Sequence, residues 1–224
     1  LTYAIVNEGE TTINNADVKG KHGAVAGAET GDKTTIKGGT FALFENQGVS
    51  DHCAYYVSAI EGGKFTLGNN TDCGAQVFCA STIAAGYKAE ENNGWYYVIA
   101  NDTDLVSSAA EFSDALTAGK NVLLVSDVNI AKIDLTTGSN DVVIDGNGNS
   151  ITTADSYGVE VTAGKNITLK NTEVVITVDG NYITYAAGFK IANGDYAGNT
   201  IKLENCKIRM HNSDWAYAVN MPAS

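Results

Sequence analysis

Lys207, Arg209 and His211 alternate with Ile208 and Met210, so a strand through this segment turns three basic groups to one face. Such a row could bind an acidic sugar; more often it is simply the solvated face of an amphipathic strand. Trp215 and Tyr217 follow closely, and with Trp95, Tyr96 and Tyr97 they are the strongest candidates for stacking on pyranose rings. Aromatics also seal the edge of a core, and sealing is the better reading of the Trp95 group. The candidate ligand-binding residues are therefore Lys207, Arg209, His211, Trp215 and Tyr217. Asp141, Asp145, Asn147 and Asn149 offer oxygen ligands, but their spacing matches neither a helix-flanked calcium loop nor a glycine-rich nonapeptide repeat. Calcium is possible but not indicated. His22 and His52 have no Cys, Asp or Glu at metal-ligand spacing and read as loop residues. Cys53, Cys73 and Cys79 could pair as Cys73–Cys79, closing a short loop, or as Cys53–Cys79, linking two repeats, or could stand as buried free thiols. Cys206 stands alone, and no histidine is placed to activate a thiol.

The elements that would hold these groups follow from composition and period. The 224 residues include 24 Gly, 22 Asn and 22 Thr, yet one proline and one arginine. A hydrophobic fraction of 44% with no long apolar run excludes a disordered chain and a chain with an apolar spanning helix. The formal charge of -12 leaves no basic patch for phosphate, so neither nucleic acid nor membrane insertion is expected. Isoleucines recur at Ile13, Ile36, Ile60 and Ile83, each followed by small residues, and Val18, Phe41 and Phe65 stand five positions after the first three. A related phrase occupies Val142–Gly146, Ile167–Asn171 and Ile201–Asn205, each followed by an apolar residue at Ile151, Val174 and Ile208. Strands this short cannot bury a face alone. Stacking the repeats in parallel, like residue on like, closes their backbone hydrogen bonds and makes a solenoid. Gly and Asn suit the corners, and proline would delete a bond between repeats. Ser108–Ala118 differs: a capping box at Ser108 and Glu111, an apolar face of Phe112, Ala115 and Leu116, and a terminating Gly119 predict a short capping helix.

The Ile-x-Gly-Gly-x-Phe phrases, the segment Val143–Ile151, and the helix followed by Val122–Val128 resemble right-handed parallel β-helix proteins of the pectate-lyase-like superfamily. More narrowly, they are similar to β-helical surface proteins of anaerobic Gram-positive gut bacteria. The resemblance implies an all-β solenoid in two parts: residues 1–100 ending in a closing segment around Gly86–Val98, and residues 101–224 starting afresh at the helix. Both chain ends would then be uncapped, belonging to a longer protein or pairing between molecules. A lyase of this fold needs clustered carboxylates for calcium and a basic proton acceptor, and a hydrolase needs paired acids. Neither set is legible; the nearest is the aligned column Asp145, Lys170, Glu204, which also reads as an ordinary mixed-charge surface. The expectation is a non-catalytic, extracellular stalk, adhesin module or filament subunit without a cofactor, whose partners would be carbohydrate, a host surface or itself. A polysaccharide lyase or hydrolase, and a phage tail fibre, are the rival readings.

Overall fold

A four-residue strand buries a face only when another strand lies beside it, and a period of 23 or 24 residues in the first half supplies that neighbour at each repeat, as do the intervals of 25 and 34 residues between the later phrases. In the computed structural model the described residues are 3–27, 33–44, 53–66, 77–136, 141–155, 157–162, 164–177, 186–191, 199–211 and 216–220. The protein is mostly β, with parallel sheets and, among the described residues, one helix. Two compact units divide it, Leu1–Asn101 and Asp102–Ser224.

The first unit runs β1 (Tyr3–Val6), β2 (Glu10–Ile13), β3 (Asp17–Gly20), β4 (Gly23–Ala26), β5 (Lys33–Ile36), β6 (Thr40–Leu43), β7 (Ala54–Tyr55), β8 (Ala59–Ile60), β9 (Gly63–Thr66), β10 (Phe78–Cys79), β11 (Tyr87–Asn92) and β12 (Trp95–Ala100). From β4 to β10 every strand pairs in parallel with the strand three before it, which makes three sheets. Ile13, Ile36, Ile60 and Ile83 fall opposite one another in a single column. Val18, Phe41 and Phe65 form a second column, in which the two phenylalanine rings stack at 4.9 Å with 12° between their planes. Ile36, Ile60, Phe41 and Phe65 are fully buried, each contributing about 1.5–3 kcal/mol of transfer free energy.

The segment expected to close this unit is an antiparallel ribbon. Asn93 (φ 50°) and Gly94 (φ 77°) turn β11 into β12, the positive-φ pair that a two-residue hairpin demands. β12 then pairs antiparallel with β9, and Tyr96 falls opposite Phe65 and packs on the core. Reversing the strand direction ends the parallel series in this sheet. Corners also carry two residues that the sequence does not single out: Tyr56 (φ 49°) and Ala80 (φ 52°) hold left-handed backbone at equivalent places, since Tyr55 pairs with Cys79.

The second unit contains β13 (Thr103–Val106), α1 (Ala109–Thr117), β14 (Asn121–Leu124), β15 (Val128–Ile130), β16 (Ile133–Leu135), β17 (Asp141–Asp145), β18 (Ser150–Thr153), β19 (Tyr157–Val161), β20 (Asn166–Lys170), β21 (Glu173–Thr177), β22 (Ala186–Ile191), β23 (Thr200–Glu204), β24 (Lys207–His211) and β25 (Ala216–Asn220). The three-strand rule holds from β17 to β25. Val142, Ile167 and Ile201 share a column, as do Ile144, Leu169 and Leu203, and Ile151, Val174 and Ile208. All three follow the aligned phrases of the sequence. At the corner after β17, β20 and β23 stand Asn147, Asn171 and Asn205, each with φ near 51°. The Asn205 amide donates to Asn171 Oδ1 at 3.2 Å, and the Asn171 amide donates to Asp145 Oδ1 at 3.1 Å, so corner side chains bond from repeat to repeat.

α1 begins at its N-cap Ser108, whose hydroxyl accepts from Glu111 N. The Glu111 carboxylate reaches one residue beyond the expected capping box, accepting from Ser107 N and Oγ at 2.7 and 2.8 Å; these bonds hold its pKa below the ordinary value. At the other end Gly119 N donates to Leu116 O and Lys120 N to Ala115 O, with Gly119 at φ 69°: a Schellman stop. Phe112, Ala115 and Leu116 are buried on the first repeat, where α1 contacts β14, β15 and β16. β15 and β16 head their sheets, and the helix stands beside them.

Candidate functional site

Strand alternation places Lys207, Arg209 and His211 on the exposed side of β24, with Ile208 and Met210 half-buried against the core. Arg209 is committed. Its Nη2 lies 2.6 Å from Glu173 Oε1, too oblique for a hydrogen bond but an ion pair nonetheless. Lys207 is opposite Glu173 in the register and His211 opposite Thr177. Trp215 lies outside the described residues; Tyr217 belongs to β25 by its backbone, opposite Ala187. Of the five sequence-derived ligand residues, the structure thus brings three basic groups together on one strand. Exposed pairs such as Arg209–Glu173 contribute about 0–1 kcal/mol.

The column weighed for acid–base chemistry forms in register: Asp145, Lys170 and Glu204 are neighbours on successive strands. Its groups neutralise one another. Lys170 Nζ lies 3.1 Å from Asp145 Oδ2, while Asp145 Oδ1 accepts from Asn147 N and the Asn171 amide. Hydrogen bonding from Lys202 holds Glu204 below the ordinary carboxylate range, whereas a general acid needs its pKa raised toward the working pH. Among the described residues no group of three or more His, Cys, Asp and Glu is placed to hold a metal ion.

A cleft of about 330 Å³ runs beside α1, lined by Ala109, Phe112, Ser113, Ile130, Lys132 and Asp134 among others. Its lysine is engaged. Lys132 bonds to the buried Glu160 and lies 3.6 Å from Asp134, and the Glu160 hydrogen bond raises its pKa above the ordinary lysine value. Lys132 and Glu160 are 28 residues apart, a juxtaposition that no local spacing announces. On the first unit Tyr97 is buried and its pKa is raised by desolvation, while Trp95 stays half-exposed beneath the Lys64 ammonium. Tyr96 packs on the core, while Trp95 and Tyr97 lie on the other face of β12 beside Lys64.

The cysteines divide. Cys79 is disulfide-bonded, Cys53 and Cys206 are free thiols, and Cys73 lies outside the described residues, as do His52 and Pro222. A Cys53–Cys79 link between repeats is therefore not made: Cys53 instead donates to Phe41 O at 2.9 Å inside the core. Burial pushes its pKa up to about 12 from 9.0. Where the folded state keeps a proton that the unfolded state loses, stability falls as pH rises, here from about pH 9 towards 12, by at most about 1.4 kcal/mol per unit. Denaturant titrations at pH about 8 and about 10.5 are expected to show a steeper loss in the wild type than in Cys53→Ala. Parallel losses would remove Cys53 from the cause.

No protein-family model, no curated protein and no solved structure matches this chain.

Proposed function

We propose that each unit is a right-handed parallel β-helix and that the chain is a non-catalytic structural or adhesive module of an extracellular surface. The observation that carries this reading is the in-register stacking of the repeats, with side chains bonded from one repeat to the next in the second unit: Asp145–Lys170, Glu173–Arg209 and the Asn171–Asn205 amides all join successive strands of one ladder or corner. Ionisable groups arranged in this way stiffen a face and are not poised for proton transfer. Right-handedness is supported by the strong preference of parallel crossovers for that sense. An oxidising, extracellular setting is supported by the bonded Cys79.

Incubating the protein with a panel of acidic and neutral polysaccharides plus calcium tests the non-catalytic reading. The expected result is intact polymer, with neither unsaturated ends nor new reducing ends. Either product, abolished by substitutions in this chain, would replace the module with an enzyme.

A further inference from the structure

Lys64 is the lysine that, among the described residues, faces two aromatic rings; Lys19 faces one, that of Phe44 at 5.6 Å. Lys37, Lys88, Lys132, Lys170 and Lys202 each have a carboxylate within ion-pairing distance. Lys64, in a chain with 26 acidic residues against 14 basic ones, has none among the described residues. Its ammonium lies instead 4.4 Å from the centroid of Trp95 and 5.9 Å from that of Tyr97. The closing ribbon creates this placement, because the antiparallel register sets Tyr97 opposite Lys64 and Trp95 opposite Thr66. On the other side of Lys64, Thr40 is its partner in β6 and is half-exposed.

We propose that Lys64, Trp95 and Tyr97 form a binding site for a pyranose bearing a single carboxylate, with Thr40 beside it as a hydroxyl partner. The ring faces hold the ammonium by their negative quadrupole without neutralising it. Its donors that point away from the rings remain for a charge-assisted bond to an incoming carboxylate. A sugar docked there lies against the half-exposed indole, whose apolar face suits the C–H face of a pyranose. The protein's net charge of -12 repels polyanions at long range, so the site selects short or sparsely charged oligosaccharides over densely charged polymers.

This site rests on the adhesive reading above and gives it a ligand class. The test uses the whole chain and the indole N–H resonance of Trp95, assigned by its disappearance in Trp95→Phe. Disaccharides carrying glucuronate or N-acetylneuraminate are titrated in, alongside their neutral methyl esters. The expected result is a saturable shift of the Trp95 indole for at least one acid, with affinity at least about tenfold weaker for its ester and for Lys64→Met, and retained in Lys64→Arg. The ester arm needs no substitution and stands even if a variant misfolds. The site is overturned if neither acid moves the Trp95 indole, or if ester and acid bind alike. Glycan binding with Trp95 unmoved would discard this site and leave the adhesive reading intact; polysaccharide cleavage would discard that reading and leave the titration to decide the site by itself.

Discussion

Gly39→Val is expected to destabilise the first unit by about 2–6 kcal/mol, because backbone strain and a steric clash add at one position. Gly39 sits at a corner with φ 119°, where a side chain is strained by about 1–3 kcal/mol whatever the space. Space is also lacking: a Cβ there would stand 2.3 Å from Ala16 O and 2.6 Å from Ala16 N, both backbone atoms of the preceding repeat. Neither can yield without breaking the ladder, which adds an overpacking cost of roughly 1–3 kcal/mol or more. Gly9→Ala is the control. Nothing lies within 4 Å of a Cβ at Gly9, so its change should stay within about 0.5 kcal/mol. Urea denaturation followed by fluorescence, compared with Trp95→Phe to isolate the first-unit signal, reads both. A Gly39→Val protein as stable as the control would mean that the repeat before it is not packed against this corner.

The second large effect lies in the aromatic column. Phe41 and Phe65 are both fully buried and stacked at 4.9 Å; Phe65 also meets Phe78 edge-on at 5.0 Å. Truncating either to alanine is expected to cost about 3–5 kcal/mol, the transfer term plus the cavity left between repeats that are pinned by backbone bonds. Because the rings touch, the double variant should lose less than the sum of the two, by about 0.5–1.5 kcal/mol. Strict additivity would show that the rings do not stack across repeats.

Much of the register can be read directly from residue types. Ile13, Ile36, Ile60 and Ile83 repeat one type at nearly constant spacing, and a buried column tolerates little else, so identity and register coincide. The phrases around Ile144, Leu169 and Leu203 behave likewise despite the longer second interval. The capping helix is legible because Ser108, Glu111 and Gly119 each have a local mechanical role. Other features depend on what meets what in space. The reversal of β12 against β9 is signalled locally only by Asn93-Gly94, and the Lys64–Trp95 contact exists only once that reversal is made. Tyr56 and Ala80 take left-handed backbone where glycine or asparagine would normally announce it. The state of Cys53 is equally open in the sequence, because a free buried thiol and a half-cystine have the same spacing; Phe41 O supplies the partner that lets it stay a thiol. Among the candidate ligand residues, the basic row follows from simple alternation along β24, but its pairing with Glu173 requires the preceding repeat.

Parallel, in-register stacking of the repeats underlies every expectation above, and methyl NOEs in a sample labelled at isoleucine methyls test it most directly. Neighbouring strands about 4.8 Å apart bring like side chains into contact. Cross-peaks should therefore run in sequence from Ile13 to Ile36, Ile36 to Ile60 and Ile60 to Ile83, with none directly from Ile13 to Ile83. Absence of the Ile36–Ile60 contact, or contacts that join these isoleucines in another order, would contradict the stacked architecture and the surface role proposed from it.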